Sequence, residues 1–339
     1  MKRFVSRIAA VLLMVAASAL APPAASAVTI PTVPVGNAGN SNDPADGDWI
    51  TDGIQNFGAV PYAYNIGTTE VTNTQYAAFL NAKAASDPLG LYNTLMGEVA
   101  NHGGIARSGS SPNFSYAAIS GRGDNPVNQV SWYDSIRFAN WLNNGQGSGD
   151  TETGAYTLGE LWIDDPNFPD GTPVNGDSIT RNAGATWFLT SENEWYKAAY
   201  HKNDGITSDY FEYATSSDTE PTAEAPPGGS NSVNSGGKVG DLTDVGAYTA
   251  SDSPYGTFDQ AGNVFEWNEA LINGSRRGQR GSAFNFAPFF LPKSARSHDD
   301  PTAGSHYQGF RVASVPEPSS GVLAVVACGL MWWWRKRFN

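Results

Sequence analysis

Cysteine is almost absent from this chain. The one cysteine in 339 residues, Cys328, sits in an apolar run near the C-terminus. The region before it can therefore hold no disulfide framework, no zinc–thiolate site and no cysteine nucleophile. Basic residues are also scarce, 20 Lys and Arg against 33 Asp and Glu. Six of those bases and one of those acids lie in residues 1–27 and 315–339, which leaves 14 and 32, a net charge of −18, for residues 28–314. A nucleic-acid partner needs a basic footprint and is excluded. An acid-rich surface suits a soluble extracellular protein, and carboxylates can also hold calcium. No internal repeat is visible, and no phosphate-binding glycine loop follows a strand–helix pattern.

Glycine and proline, 37 and 21 residues, are abundant and point to a loop-rich fold rather than a helical bundle. The 287 residues between the ends amount to one large domain or two small ones, and a domain of that size can be stable without disulfides. Residues 31–57 read as a surface lead-in. Val60 to Ile66 has strand character. A first helix is capped by Thr72 or Asn73 and buries Tyr76, Phe79 and Leu80. A second starts at Ser131, which pairs with Asp134 in a capping pattern; it carries Trp132, Ile136, Ala139 and Leu142 on one face and ends at Gly145. A third follows the capping box Ser191–Glu194 through Trp195 and Ala199. Residues 145–180 look like an insertion with a hairpin around Tyr156 to Ile163, and residues 215–238 like a long loop.

Both ends read as addresses. Lys2, Arg3 and Arg7, an apolar stretch from Ile8 to Leu20 and the small-residue site Ala25-Ser26-Ala27 form a secretory signal over residues 1–27, with a mature start at Val28. The other reading, a membrane-anchoring helix, needs a longer apolar run. At the C-terminus, Val315-Pro316-Glu317-Pro318 precedes an apolar segment, 321–334, and then Arg335-Lys336-Arg337. This order resembles a PEP-CTERM sorting signal. The resemblance implies transient membrane anchoring, cleavage by an exosortase-type protease and delivery to the cell surface or medium; the basic cluster agrees with the positive-inside rule. A simple C-terminal anchor is the alternative.

The densest motif is Ser253-Pro254-Tyr255-Gly256-Thr257-Phe258-Asp259-Gln260-Ala261-Gly262-Asn263-Val264-Phe265-Glu266-Trp267. Its glycines and Asn263 mark tight turns, where a positive φ costs little. The run resembles the Y-G-x-x-D-x-x-G-N-V-x-E-W segment of the formylglycine-generating enzyme (sulfatase-modifying factor) family. Further matches follow in order: Thr69–Asn73 with Tyr76 and Phe79; Asn125–Trp132; Leu189–Trp195; Arg280–Phe284; Ala295-Arg296-Ser297; and Gly309–Val312. They span roughly residues 60–313, which sets the domain at 58–314. The resemblance implies an irregular, C-type-lectin-like α+β fold with few short helices and small antiparallel sheets.

The family's copper-binding cysteines precede the Ala-Arg-Ser element, which places Pro288 and Lys293 at their positions. Neither supplies the soft ligand that copper(I) needs, so copper and the family's oxidase chemistry are not expected. The resemblance implies calcium at Asp259, Gln260, Gly262 and Val264, and a second calcium site drawing on Asn234 and Asp241. A turn-capping role for Asp259 is the alternative. His298 and His306, with Asp299 and Asp300, form an alternative metal set, set against a solvated acidic loop. Glu192 and Glu194 are two apart on a helix and do not face each other. Glu266 reads as a buried carboxylate bonding the turn. His102 and His201 show no partner spacing. Trp132, Trp195 and Trp267 fit core positions, whereas Trp49 and Trp162 are freer to stack on sugars. These readings imply an exported binding or structural protein associated with extracellular polysaccharide through the 284–308 loop. The alternatives are a metal-dependent oxidoreductase and a passive matrix component.

Overall fold

A computed structural model describes residues 27–47, 55–162 and 169–315 of the chain. The stretch expected to be a secretory signal up to residue 26, Trp49, Ile163, Cys328 and the stretch expected to be a sorting tail from residue 316 lie outside the described residues. Among the described residues no helix is long and apolar enough to cross a membrane.

Three helices form where the caps predict. Helix α1, Asn73–Lys83, is capped by Thr72, whose hydroxyl accepts the Gln75 amide while the Gln75 side chain accepts the Thr72 amide. Helix α2, Trp132–Asn143, starts from the Ser131–Asp134 box and is buried from Trp132 to Leu142. Gly145, at φ +82°, follows its end. Helix α3, Glu192–Tyr200, starts from the Ser191–Glu194 box. Each box satisfies backbone donors that no helical partner reaches, which fixes where each helix begins.

Two four-stranded sheets flank these helices. The first has the order Thr32–Val35, Tyr64–Gly67, Val312–Ser314, Trp187–Leu189, antiparallel throughout, so both ends of the domain share one sheet. The second has the order Ser297–Asp299, Arg276–Arg280, Phe265–Ile272, Gln308–Gly309. Its central hairpin is antiparallel, with a register shift between Trp267 and Leu271, and its last pairing is parallel. The core between sheets and helices is aromatic. Tyr76 stacks on Phe138 at 5.9 Å, and Phe138 meets Phe310 edge-on at 5.4 Å. Trp132, Trp195 and Trp267 are fully buried, as expected. The Trp267 indole donates to the Val130 carbonyl at 3.0 Å and the Trp132 indole to the Asn268 carbonyl at 2.9 Å.

Several local expectations need correction. The strand expected from Val60 begins only at Tyr64, because Pro61 has no N–H to donate to a ladder. The hairpin expected at 156–163 is a wider excursion. Leu161–Trp162 pairs with Thr172–Pro173, and Tyr156 bridges to Arg181. The 215–238 loop contains a short parallel ladder between Thr222–Ala223 and Ser232–Val233. Residues 31–57 are not merely superficial either. Thr32–Val35 is an edge strand, and Val35, Asn40, Asp43, Asp46 and Phe57 are buried. Their polar composition reads as surface because the partners that bury them lie far along the chain.

Candidate binding surface and the ion pairs beneath it

The 253–267 run turns where its glycines and Asn263 place it, with φ of +82° at Gly256, +91° at Gly262 and +59° at Asn263. A Cβ on Gly262 would stand 2.3 Å from the Asn234 carbonyl oxygen, so only glycine lets these two segments touch. Glu266 is wholly buried, and its carboxylate accepts both arms of Arg311, at 2.5 and 2.6 Å, and the Trp195 indole at 2.7 Å. Arg311 also donates to the carbonyls of Gly67 and Phe258. Glu266 is thus a structural carboxylate, and its charged partner comes from the connection just before the last strand rather than from the turn.

Glu266–Arg311 is one of several internal ion pairs. Glu192 accepts Arg280 at 2.8 Å and Arg296 at 2.6 Å, while Glu194, two positions on, accepts Arg181 at 2.6 Å. The two glutamates face different partners, as their helix spacing requires. Arg181 also holds Glu269 at 2.8 Å, and the Tyr62 and Tyr156 hydroxyls donate to the two glutamates. Among the described residues, 7 of the 14 basic and 8 of the 28 acidic side chains of the domain are buried. The interior is therefore nearly charge-balanced, and 20 acids face 7 bases outside it.

Of the two positions where the resemblance puts thiols, Pro288 opens the 3₁₀ turn Pro288–Phe290. Lys293 is buried, and its ammonium donates to Asp43 Oδ2 at 2.7 Å. The Tyr196 hydroxyl donates to the same oxygen at 2.8 Å. The Lys293 amide bonds the Glu212 carbonyl, and its own carbonyl accepts Arg280. Lys293 is pinned on every polar atom.

The residues assigned to calcium fall in one polar zone but are unequally engaged. Both Asp241 oxygens are occupied: the Arg122 guanidinium grips them bidentately at 2.8 Å, and His102 Nδ1 and the Leu242 amide share Oδ1. The Gln260 side chain accepts from Thr257 and donates to the Trp195 carbonyl. Asn234 Nδ2 donates to the Asp241 carbonyl, leaving Oδ1 buried without a partner, and Val264 is buried on a small apolar cluster with Leu242 and Phe284. Asp259 Oδ2 accepts the Gly246 amide at 2.5 Å. Burial first, then the charge of Glu266, pushes the Asp259 carboxyl up to about 6, against Arg311 and the Gly246 bond. Glu70, which sequence reasoning did not single out, lies beside it. One of its oxygens accepts Asn263, the other is buried without a partner, and its pKa is raised well above the carboxylate range by burial, then by Asp259 and Glu266. Glu70, Asp259 and Glu266 thus share the single charge of Arg311.

His298 and His306 have separate surroundings. His298 sits on the Ser297–Asp299 strand opposite Gly278. The His306 ring neighbours His102 at 5.4 Å, Phe284 at 6.0 Å and Tyr307 at 5.1 Å, and its Nε2 lies 3.2 Å from Asn285 Nδ2. Among the described residues no three His, Cys, Asp or Glu side chains form a group suited to a metal ion. His102 carries no sequence signal because its partner Asp241 lies 139 positions away.

The 284–308 segment presents an aromatic face. Phe286 meets Phe290 at 5.4 Å, Tyr307 at 5.0 Å and Phe265 at 4.9 Å, all edge-on. Phe289, 65% exposed, meets Phe290 at 5.5 Å. The far end of the segment, residues 300–304, walls a cleft against residues 169–177.

Few short helices, small sheets and long ordered loops over ion-paired anchors define an irregular, C-type-lectin-like α+β protein. The sequence profile of the sulfatase-modifying factor enzyme 1-like domain matches residues 31–315, and the chain belongs to that formylglycine-generating enzyme family. Two solved structures share the fold. Treponema denticola variable protein 1 is 19% identical, with a TM-score of 0.50 over 84% of this chain and 95% of its own. CarF is 20% identical, with a TM-score of 0.51 over 85% of this chain and 99% of its own. No curated protein matches the chain significantly.

Proposed function

We propose that this is an exported, surface-sorted member of the family that has lost the oxidase chemistry and binds or organises extracellular polysaccharide. Lys293 carries the reading: where the resemblance places a thiolate, an ammonium is fixed 2.7 Å from Asp43 as part of the fold. With Pro288 at the other position, the donor set has no soft ligand for copper(I). The partly exposed aromatic cluster of the 284–308 segment, with Phe289 at its outer edge, supports a binding role, since apolar surface beside polar loops marks interaction sites. The tail, with exosortase-type cleavage and transient membrane anchoring, belongs to the same proposal. So does calcium, held by Asp259 and its neighbours, where Glu70, Asp259 and Glu266 crowd around Arg311. The oxidoreductase alternative finds no support in the separate surroundings of His298 and His306.

Two assays on the full chain test this. Copper-supplemented incubation with a sulfatase-type cysteine peptide should yield no aldehyde, and immobilised extracellular polysaccharide should retain the chain saturably. Aldehyde formation, or stoichiometric iron or copper in chain purified without added metal, would overturn the loss of chemistry. Retention without saturation would leave a passive matrix component.

A further inference from the structure

Two cavities of about 400 and 230 Å³ adjoin at one end of the 284–308 segment and share Tyr133, Pro169, Thr172 and Thr302. Together they fall within the size range of small-molecule and oligosaccharide sites. Trp162, 36% exposed, stands at the rim of the larger one. Tyr133 lines both, is only 5% exposed, and its hydroxyl makes no hydrogen bond among the described residues. The ring is buried but its oxygen opens onto the cavities, where a ligand or water can complete its hydrogen bonds. The phenol is crowded against Gly176, where an added Cβ would come within 2.0 Å of its oxygen. Burial pushes its pKa up to about 12, so it stays a neutral donor.

The charges around these cavities define the ligand. Asp177 and Asp300 line the larger one, and both are exposed. Asp177 makes no hydrogen bond among the described residues, and Asp300 spends one oxygen on the amide and hydroxyl of Thr302, leaving the other available. No cationic side chain among the described residues lines this cavity. The only cation among the described residues lining the smaller cavity, Arg137, is held by Glu152 at 2.8 Å through two nitrogens and by the Gly171 carbonyl. Carboxylates that accept hydroxyl hydrogens, an indole face at the rim and no free positive charge suit an uncharged polyol and repel an anionic one.

We propose that this cleft is the subsite for a neutral oligosaccharide, its sugar face on Trp162 and its hydroxyls on Tyr133, Asp177 and Asp300. The proposal rests on the polysaccharide-binding reading and gives it a place and a sugar class.

The test is calorimetric titration of the full chain with neutral gluco- and manno-configured hexasaccharides and with a hexauronate of equal length. A neutral hexasaccharide should bind saturably and the hexauronate at least about tenfold more weakly. Tyr133→Phe deletes one unbonded oxygen, so melting should be unchanged or slightly raised while affinity falls about fivefold to tenfold. Trp162→Ala should lose about tenfold or more. Equal or tighter binding of the hexauronate overturns the assignment, as does neutral-sugar binding indifferent to both substitutions. If Phe286→Ala or Phe289→Ala abolishes binding while the cleft variants retain it, the subsite is wrong and the binding function stands. No saturable binding to any of these sugars or to the polysaccharide removes both.

Discussion

Replacing Lys293 by methionine tests whether this position has become part of the scaffold. The lysine side chain is 10% exposed, its partner Asp43 is 3% exposed, and the two charges are 2.7 Å apart. Removing the cation strands a buried carboxylate that keeps the Tyr196 hydroxyl and the Ala45 amide but no positive charge among the described residues. Breaking such a pair costs about 3–5 kcal/mol. At about 2–3 °C per kcal/mol for a chain of this size, melting should fall by roughly 6–15 °C. Differential scanning calorimetry at neutral pH reads this directly. Lys293→Arg keeps the charge and should retain most of the stability, which guards against a methionine variant too unstable to measure. Adding Asp43→Asn to Lys293→Met removes the stranded charge and should recover a large part of the loss, giving a coupling energy of at least about 1 kcal/mol. If Lys293→Met melts within about 2 °C of the parent, or the two substitutions simply add, the pair does not anchor residues 31–57 and the scaffold role of Lys293 is wrong.

Other consequences are measurable. Asp259, held near 6 against an ordinary value of 3.8, binds its proton more tightly when folded. The stability this contributes is complete below about pH 4 and lost as pH rises through about 6. In chelator, Asp259→Asn should flatten that slope in urea titrations and raise stability above pH 7 by up to about 3 kcal/mol; an unchanged slope would refute the assignment. Calcium should raise the melting temperature at pH 7.5, and Asp259→Asn should reduce the gain; calcium-independent melting removes the cation proposal. Ser191→Ala deletes the hydroxyl that accepts the Glu194 amide and should cost about 1 kcal/mol by chemical denaturation. A loss below a few tenths would mean that the Glu194–Arg181 pair alone fixes the start of α3.

The helices were legible because capping is local. Thr72, Ser131 and Ser191 each meet a partner three residues on, and apolar spacing does the rest. The order of the short motifs carried the fold, because each seats a buried contact such as Glu266 on Arg311 or Trp267 on Val130. The burial of Asp43 and of Glu70 was not legible, since each depends on residues more than 190 positions away. The surroundings of the site were hidden for the same reason. His102 meets Asp241, and Tyr133 faces Asp300, only after the chain has closed both sheets. The resemblance could place Lys293 at a thiol position but could not say that Asp43 would claim it.

The near-neutral interior has a colloidal consequence. With half of the domain's positive charge withdrawn into the interior, the solvent meets 20 described carboxylates against 7 described cations, so copies present like-charged faces to one another. At physiological ionic strength that repulsion reaches about 8 Å from the surface and lengthens as salt is diluted. Crowded copies should therefore keep a spacing set by ionic strength and close up when divalent cations screen the shell, which light scattering would register as a second virial coefficient falling from positive towards zero.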